Sequence, residues 1–169
     1  MHIETDRIII REFKQSDLND LHIILSNPAV MQYSVHGPYT LEQTETLLTE
    51  TISNYQKQFY GIYAVELKET KRVIGFFGVS PQKINNEEDI ELGYRFAEEC
   101  WGNGFATEGA IACIHYAFTN LNLKRIISII DPQNIGSVRV AEKAGLVSEY
   151  ETHYHDFFVH VYAINKPDL

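Results

Sequence analysis

Between residues 100 and 109 the chain reads Cys-Trp-Gly-Asn-Gly-Phe-Ala-Thr-Glu-Gly, small residues set between a strand-like run and a helix-like run. Glycines at such a junction let the backbone come close to a ligand. The amides that open the following helix have no partner within it, and the positive end of the helix dipole lies behind them. That combination is an anion site suited to phosphate or pyrophosphate. The spacing narrows the ligand. A nucleoside-triphosphate loop requires Gly-x-x-x-x-Gly-Lys-Ser/Thr, and no lysine stands here. A dinucleotide fingerprint requires Gly-x-Gly-x-x-Gly, but Thr107 occupies the third glycine position; Asp131, ending a later strand, keeps that alternative open as a ribose-binding acid. A tight helix entry with no ligand accounts for the glycines equally well.

Other chemically capable side chains are scattered. Glu91 is a carboxylate within a strand-like run, and Asn134 to Leu146 form a second polar and small-residue cluster. His153, His155, Asp156 and His160 suggest zinc, and strand alternation puts His153 and His155 on one face, yet no third ligand has a secure spacing. They read as the surface or the rim of an acceptor pocket, and no metal is expected. Cys100 beside the glycine loop reads as a packing thiol. Tyr33, His36, Tyr39, Phe76 and Phe77 either line an acceptor site or fill a core, the latter being the usual fate of aromatics.

These residues need elements to hold them. Ile3 to Phe13, with three consecutive isoleucines, predicts a first strand. Ser16-Asp17 signals the start of a helix carrying Leu18, Leu21, Ile24 and Leu25 on one face, stopped by Asn27-Pro28. Thr40 caps a second helix to about Gln58, with Leu41, Thr44, Leu47, Leu48 and Ile52 inward. Phe59 to Leu67 and Val73 to Val79 predict a hairpin, and a further strand runs from Asp89 to Phe96 after Asn85-Asn86. Beyond the glycine loop a helix places Ala110, Ile111, Ile114, Ala117 and Phe118 on its apolar stripe. Lys124 to Ile130 is a strand, Ser137 to Ala144 lies in a short helix ended by Gly145, and Tyr150 to Tyr154 with Phe157 to Ile164 forms a closing hairpin. The order β-α-α-β-β-β-α-β-α-β-β is a mixed α/β layer fold.

Composition sets limits. The 169 residues suit one domain, 1–169, with 44% hydrophobic and 22% charged residues in an ordinary globular mix. No apolar run is long enough for a membrane span, and the first residues carry no signal-peptide pattern. Two cysteines make no disulfide framework and point to a reducing cytoplasm. The net charge of −9 argues against nucleic-acid binding and suits a cationic partner, although a merely soluble acidic surface explains it as well.

Taken together, the two clusters resemble the GNAT superfamily of acyl-coenzyme A N-acyltransferases, in its ribosomal-protein N-terminal acetyltransferase branch. Trp101-Gly102-Asn103-Gly104-Phe105-Ala106-Thr107-Glu108 is similar to the family's Arg/Gln-x-x-Gly-x-Gly/Ala, with Trp101 in place of Arg/Gln. Asn134-x-x-Ser137-x-Arg139-Val140-Ala141-Glu142-Lys143-Ala144-Gly145 resembles the second motif, and Glu91-Leu92-Gly93-Tyr94 the central strand. The resemblance, which extends to Thr5-Asp6-Arg7, implies a mostly antiparallel sheet with splayed middle strands and helices on both faces. It implies acetyl-coenzyme A as co-substrate, with no metal, and direct transfer to a primary amine on a small molecule or a protein N-terminus, in a monomer or homodimer. The pantetheine arm would run along the backbone of Tyr94, Arg95 and Phe96, and the pyrophosphate along Gly102, Asn103, Gly104, Phe105, Ala106 and Thr107. Asn134 would bond the pantetheine arm, cap its own helix, or do both, and Lys143 would add a cofactor contact. Glu91 matches a carboxylate that acts through water as base, and a strand-face ion pair accounts for it equally well. The tyrosine that usually protonates the leaving thiolate is replaced by Ala141, which leaves Ser137 as the candidate. A non-catalytic acyl-coenzyme A sensor of the same fold and a dinucleotide-dependent oxidoreductase are the rival functions.

Overall fold

The computed structural model describes residues 1–57 and 60–167; Phe59, where the third strand was expected to open, lies outside them. The expected first strand is divided in two, β1 (Ile3–Glu4) and β2 (Ile8–Arg11), which pair antiparallel with Ile3 opposite Ile10. A turn at Thr5 makes the break. The Thr5 amide donates to Ile8 O at 3.0 Å, and the Thr5 hydroxyl reinforces it, donating to Ile8 O at 3.1 Å and accepting from the Ile8 amide at 3.3 Å. Helices α1 (Leu18–Ser26), α2 (Pro28–Met31) and α3 (Leu41–Asn54) follow. Then come β3 (Gly61–Leu67), β4 (Val73–Ile84), β5 (Glu87–Phe96), α4 (Phe105–Thr119), β6 (Arg125–Ile130), α5 (Ile135–Lys143), β7 (Val147–Tyr154) and β8 (Phe157–Asn165). The eight strands form one open sheet in the order β1-β2-β3-β4-β5-β6-β8-β7. The β1/β2, β2/β3, β6/β8 and β7/β8 pairs are antiparallel, and β5 lies parallel to β6 with Glu91 opposite Ile127.

The chain divides into two compact units, Met1–Gly78 with Tyr94–Phe105, and Val79–Gly93 with Ala106–Leu169. In the first, Leu21, Ile24, Leu25, Met31 and Leu48 from the helices pack on Ala64, Val73 and Phe76 of the sheet. Thr40 caps α3 as its sequence predicts, accepting from the Gln43 amide at 3.2 Å while Gln43 Oε1 accepts from the Thr40 amide at 2.8 Å. Two details depart from expectation. Leu41 is exposed at the head of α3, so the inner face is carried by Thr44, Leu48 and Thr51, with Leu47 and Ile52 packed against the core as expected. Asp17 makes no cap for α1, because its carboxylate is taken by Arg11 Nη1 (2.8 Å) and the Lys14 amide (2.8 Å).

In the second unit Ile84, Ile127, Val161 and Ala163 form a core, with Ile129, Tyr150 and Tyr154 packed against it. The registers explain the grouping. Glu91 faces Ile127, Ile127 faces Ala163 and Tyr150 faces Val161, so alternate residues of β5, β6, β8 and β7 share one face. Helix α4 buries Ala110, Cys113, Ile114, Ala117 and Phe118 at helical spacing, while Ile111, expected on the same stripe, is exposed. Helix α5 ends as predicted at Gly145, whose φ of 93° is left-handed.

Candidate functional site

The glycine loop belongs to the first unit and is braced from within and from the N-terminus. Gly102 and Gly104 have φ of 76° and 81°, a conformation that L side chains rarely adopt. Asn103 Nδ2 donates to the carbonyls of Cys100 (3.2 Å) and Trp101 (3.1 Å), so this side chain ties the loop and does not reach outward. Trp101 Nε1 donates to Phe96 O at 2.9 Å. The residue that stands where the family's pattern has Arg or Gln is therefore a strut between the end of β5 and the loop.

Arg7 completes the brace. Its Nη1 donates to Asn103 O at 2.8 Å, and its guanidinium lies over the Phe105 ring, 4.5 Å from the centroid. In a trans peptide the carbonyl and the following N–H point in opposite directions. Holding Asn103 O on Arg7 thus turns the Gly104 amide away from the arginine. Gly104, which precedes the 15-residue helix α4, has no side chain that could cap its first turn. Loop residues 101–104 are exposed, and Phe105, Ala106 and Thr107 half-buried. Sequence reasoning missed Arg7 as part of this loop.

Tyr94, Arg95 and Phe96 end β5 in the same unit. The Tyr94 and Phe96 rings lie 5.6 and 5.7 Å from Phe77, which is fully buried. Gly75 makes room for this strand end, since a Cβ there would stand 2.6 Å from Arg95 O. Phe76 and Tyr39 belong to the core packing, and Phe77 serves the aromatic group just described. Tyr33 is exposed.

The second unit carries Glu91, Asn134, Ser137 and Lys143. Asn134 Oδ1 accepts from the Ser137 amide at 3.1 Å and so caps α5. Ser137 is half-buried, Lys143 is exposed in the last turn, and Ala141 is buried. Glu91 Oε2 accepts from Gln82 Nε2 at 3.0 Å, and Gln82 Oε1 in turn accepts from the Tyr154 hydroxyl at 2.6 Å. Burial, then the charge of Glu91, pushes the Tyr154 hydroxyl above the ordinary tyrosine range. Neither Gln82 nor Tyr154 was expected here, because no local pattern marks them.

The histidines do not converge. His155 occupies the β7–β8 turn with φ of 47°, not the strand face expected for it, and His160 Nε2 lies 3.2 Å from Glu151. Among the described residues no group of three His, Cys, Asp or Glu side chains is placed to hold a metal ion. The Cys100 thiol is pushed up by burial and by Glu99, which disfavours a nucleophilic thiolate.

A family model for the acetyltransferase (GNAT) domain matches residues 7–147. The chain belongs to the GNAT acetyltransferases and moves acetyl from acetyl-coenzyme A to an amine. It is 37% identical over 143 residues to the uncharacterized protein YkkB of Bacillus subtilis, covering 84% of this chain and 83% of that one. It is 28% identical over 159 residues to the spermidine N(1)-acetyltransferase of Escherichia coli, covering 89% and 77%. The crystal structure of a GNAT-family acetyltransferase from Bacillus anthracis superposes with a TM-score of 0.84 at 27% identity, covering 98% of each chain.

Proposed function

We propose that residues 1–169 act as one cytoplasmic acetyltransferase domain in which Glu91 accepts the proton of the attacking amine, directly or through water. The observation that carries this reading is the setting of Glu91. It is a half-buried carboxylate on a central strand, with one oxygen pinned by Gln82. Acetyl-coenzyme A lies with its pantetheine arm along Tyr94, Arg95 and Phe96 and its pyrophosphate on the amides from Gly102 to Thr107. The Phe96 carbonyl in this stretch also accepts from the Trp101 indole. Attack is direct, in a ternary complex, and Ser137 hydrogen-bonds the departing thiolate.

For the acceptor we favour a small polycation with a primary amine. The spermidine-acetylating relative and the net charge of −9 support it. A protein α-amine, the acceptor class of the ribosomal-protein branch, is the second reading, and the Asn134–Gly145 motif supports that one. The test compares spermidine with peptides beginning in Ser or Ala, read by thiol release. Turnover of spermidine at least tenfold above the peptides is expected; the reverse ranking overturns the polycation reading. With the best acceptor, Glu91→Gln lowers kcat/KM about 10²-fold or more at neutral pH, the usual worth of a general base. The deficit shrinks as pH rises, because free amine becomes abundant. It is larger for an amine titrating near ~10 than for an α-amine near ~8. Parallel profiles for the two proteins would make Glu91 a substrate-positioning group instead.

A further inference from the structure

We propose that Gln82 is a positioning residue for the Glu91 carboxylate, locked into its working orientation by the Tyr154 hydroxyl. The inference rests on the reading of Glu91 as base and adds the parts that aim it. Gln82 Nε2 donates to Glu91 Oε2 at 3.0 Å and to Ser80 Oγ at 3.1 Å, while its Oε1 accepts from Tyr154 at 2.6 Å. A side-chain amide is asymmetric, and here its two ends are sorted by their neighbours. An ionised carboxylate can only accept, so it requires the NH2 end. The phenol stays protonated, because burial raises its pKa, and as a donor it requires the oxygen end. Only one orientation satisfies both; the flipped amide would set its oxygen against the carboxylate.

Tyr154 is itself fixed. Its ring packs on the core of Ile84, Ile127, Val161 and Ala163. Strands β7 and β8 hold it opposite Phe157 at the end of their ladder. The chain Tyr154–Gln82–Glu91 therefore carries the rigidity of a packed ring to a carboxylate on another strand. At the far end Glu91 Oε1 lies 3.8 Å from the point where a Cβ on Gly93 would stand, so it is directed along β5 beside a residue with no side chain.

The test uses Gln82→Leu, Tyr154→Phe and Glu91→Gln, singly and combined. Misplacing a catalytic group by about 1 Å can cost on the order of 10²-fold. Gln82→Leu is thus expected to lower kcat about 10-fold to 100-fold with acetyl-coenzyme A affinity unchanged. Tyr154→Phe, which keeps the ring and its packing, should produce a smaller loss of the same kind. In the Glu91→Gln background neither change should lower kcat further, because the group they aim is gone. A crystal structure of Gln82→Leu is expected to show Glu91 in a new rotamer. An unmoved Glu91, or equal fold losses with and without the Glu91 carboxylate, overturns the proposal. If Glu91→Gln alone leaves turnover intact, it is the reading of Glu91 as base that fails, and the Gln82→Leu structure still decides whether Gln82 orients the carboxylate.

Discussion

The Ser137 amide donates to Asn134 Oδ1 at 3.1 Å, which fixes Ser137 in the first turn of α5 by a backbone bond that any residue could make. Its hydroxyl is a separate matter. Ala141, one turn further on, is buried and has no polar atom, so α5 supplies no phenol for the leaving thiolate. Ser137→Ala keeps the amide and removes only the hydroxyl. Turnover is expected to fall about tenfold, the scale of one hydrogen bond to a charged group, with acetyl-coenzyme A affinity changed by less than about half that. Stopped-flow turnover beside calorimetry separates the two. A loss confined to affinity would make Ser137 a cofactor contact only. At this scale the sequence was partly legible. Asn134 and Gly145 announce themselves because their chemistry is local, a side chain capping an amide three residues on and a left-handed helix stop. Gln82 and Tyr154 do not, since 72 residues separate them and nothing along the chain shows that they meet.

Among the elements, the glycine loop teaches the same lesson from the other side. Its glycines and the helix behind it suggest an anion site from sequence alone, yet the Asn103–Gly104 peptide plane is held by Arg7, 96 residues before Asn103. Arg7→Leu is expected to raise KM for acetyl-coenzyme A about tenfold and to leave kcat at saturation unchanged. With S-acetylpantetheine, which lacks the pyrophosphate, the same substitution should change nothing. An equal loss on both substrates would mean general damage and not a loop held for phosphate. The strand boundaries diverged from sequence for physical reasons of this sort. β1 and β2 separate because the Thr5 amide and hydroxyl close a turn inside a β-rich run. β4 runs on past Val79 to Ile84, through Ser80-Pro81-Gln82-Lys83, where β-branching gives way and the local strand signal is lost. Helix α2 is too short for any periodicity to show, although Asn27 caps it through a 2.8 Å bond from the Ala29 amide.

For the whole molecule, the order of elements was visible because most core-facing residues repeat at strand or helix spacing, and Leu21, Leu48 and Ile127 are buried as those patterns require. Departures such as Leu41 and Ile111 occur where an apolar residue at the right spacing stays about half exposed, which is decided by packing and not by period. Among the described residues no helix is long and apolar enough to cross a membrane. The two cysteines carry a practical consequence. Cys113 is sealed inside α4 and burial drives its thiol far above the ordinary range, whereas Cys100, three residues before Asn103, is only half-buried. A maleimide should therefore add once to the native chain and twice after denaturation, as intact mass would show. The native addition should be slow, because burial and Glu99 also hold the Cys100 thiol protonated. The chain thus carries its own attachment point for a fluorophore beside the glycine loop, and its emission can be followed as acetyl-coenzyme A is titrated in, with no cysteine added or removed.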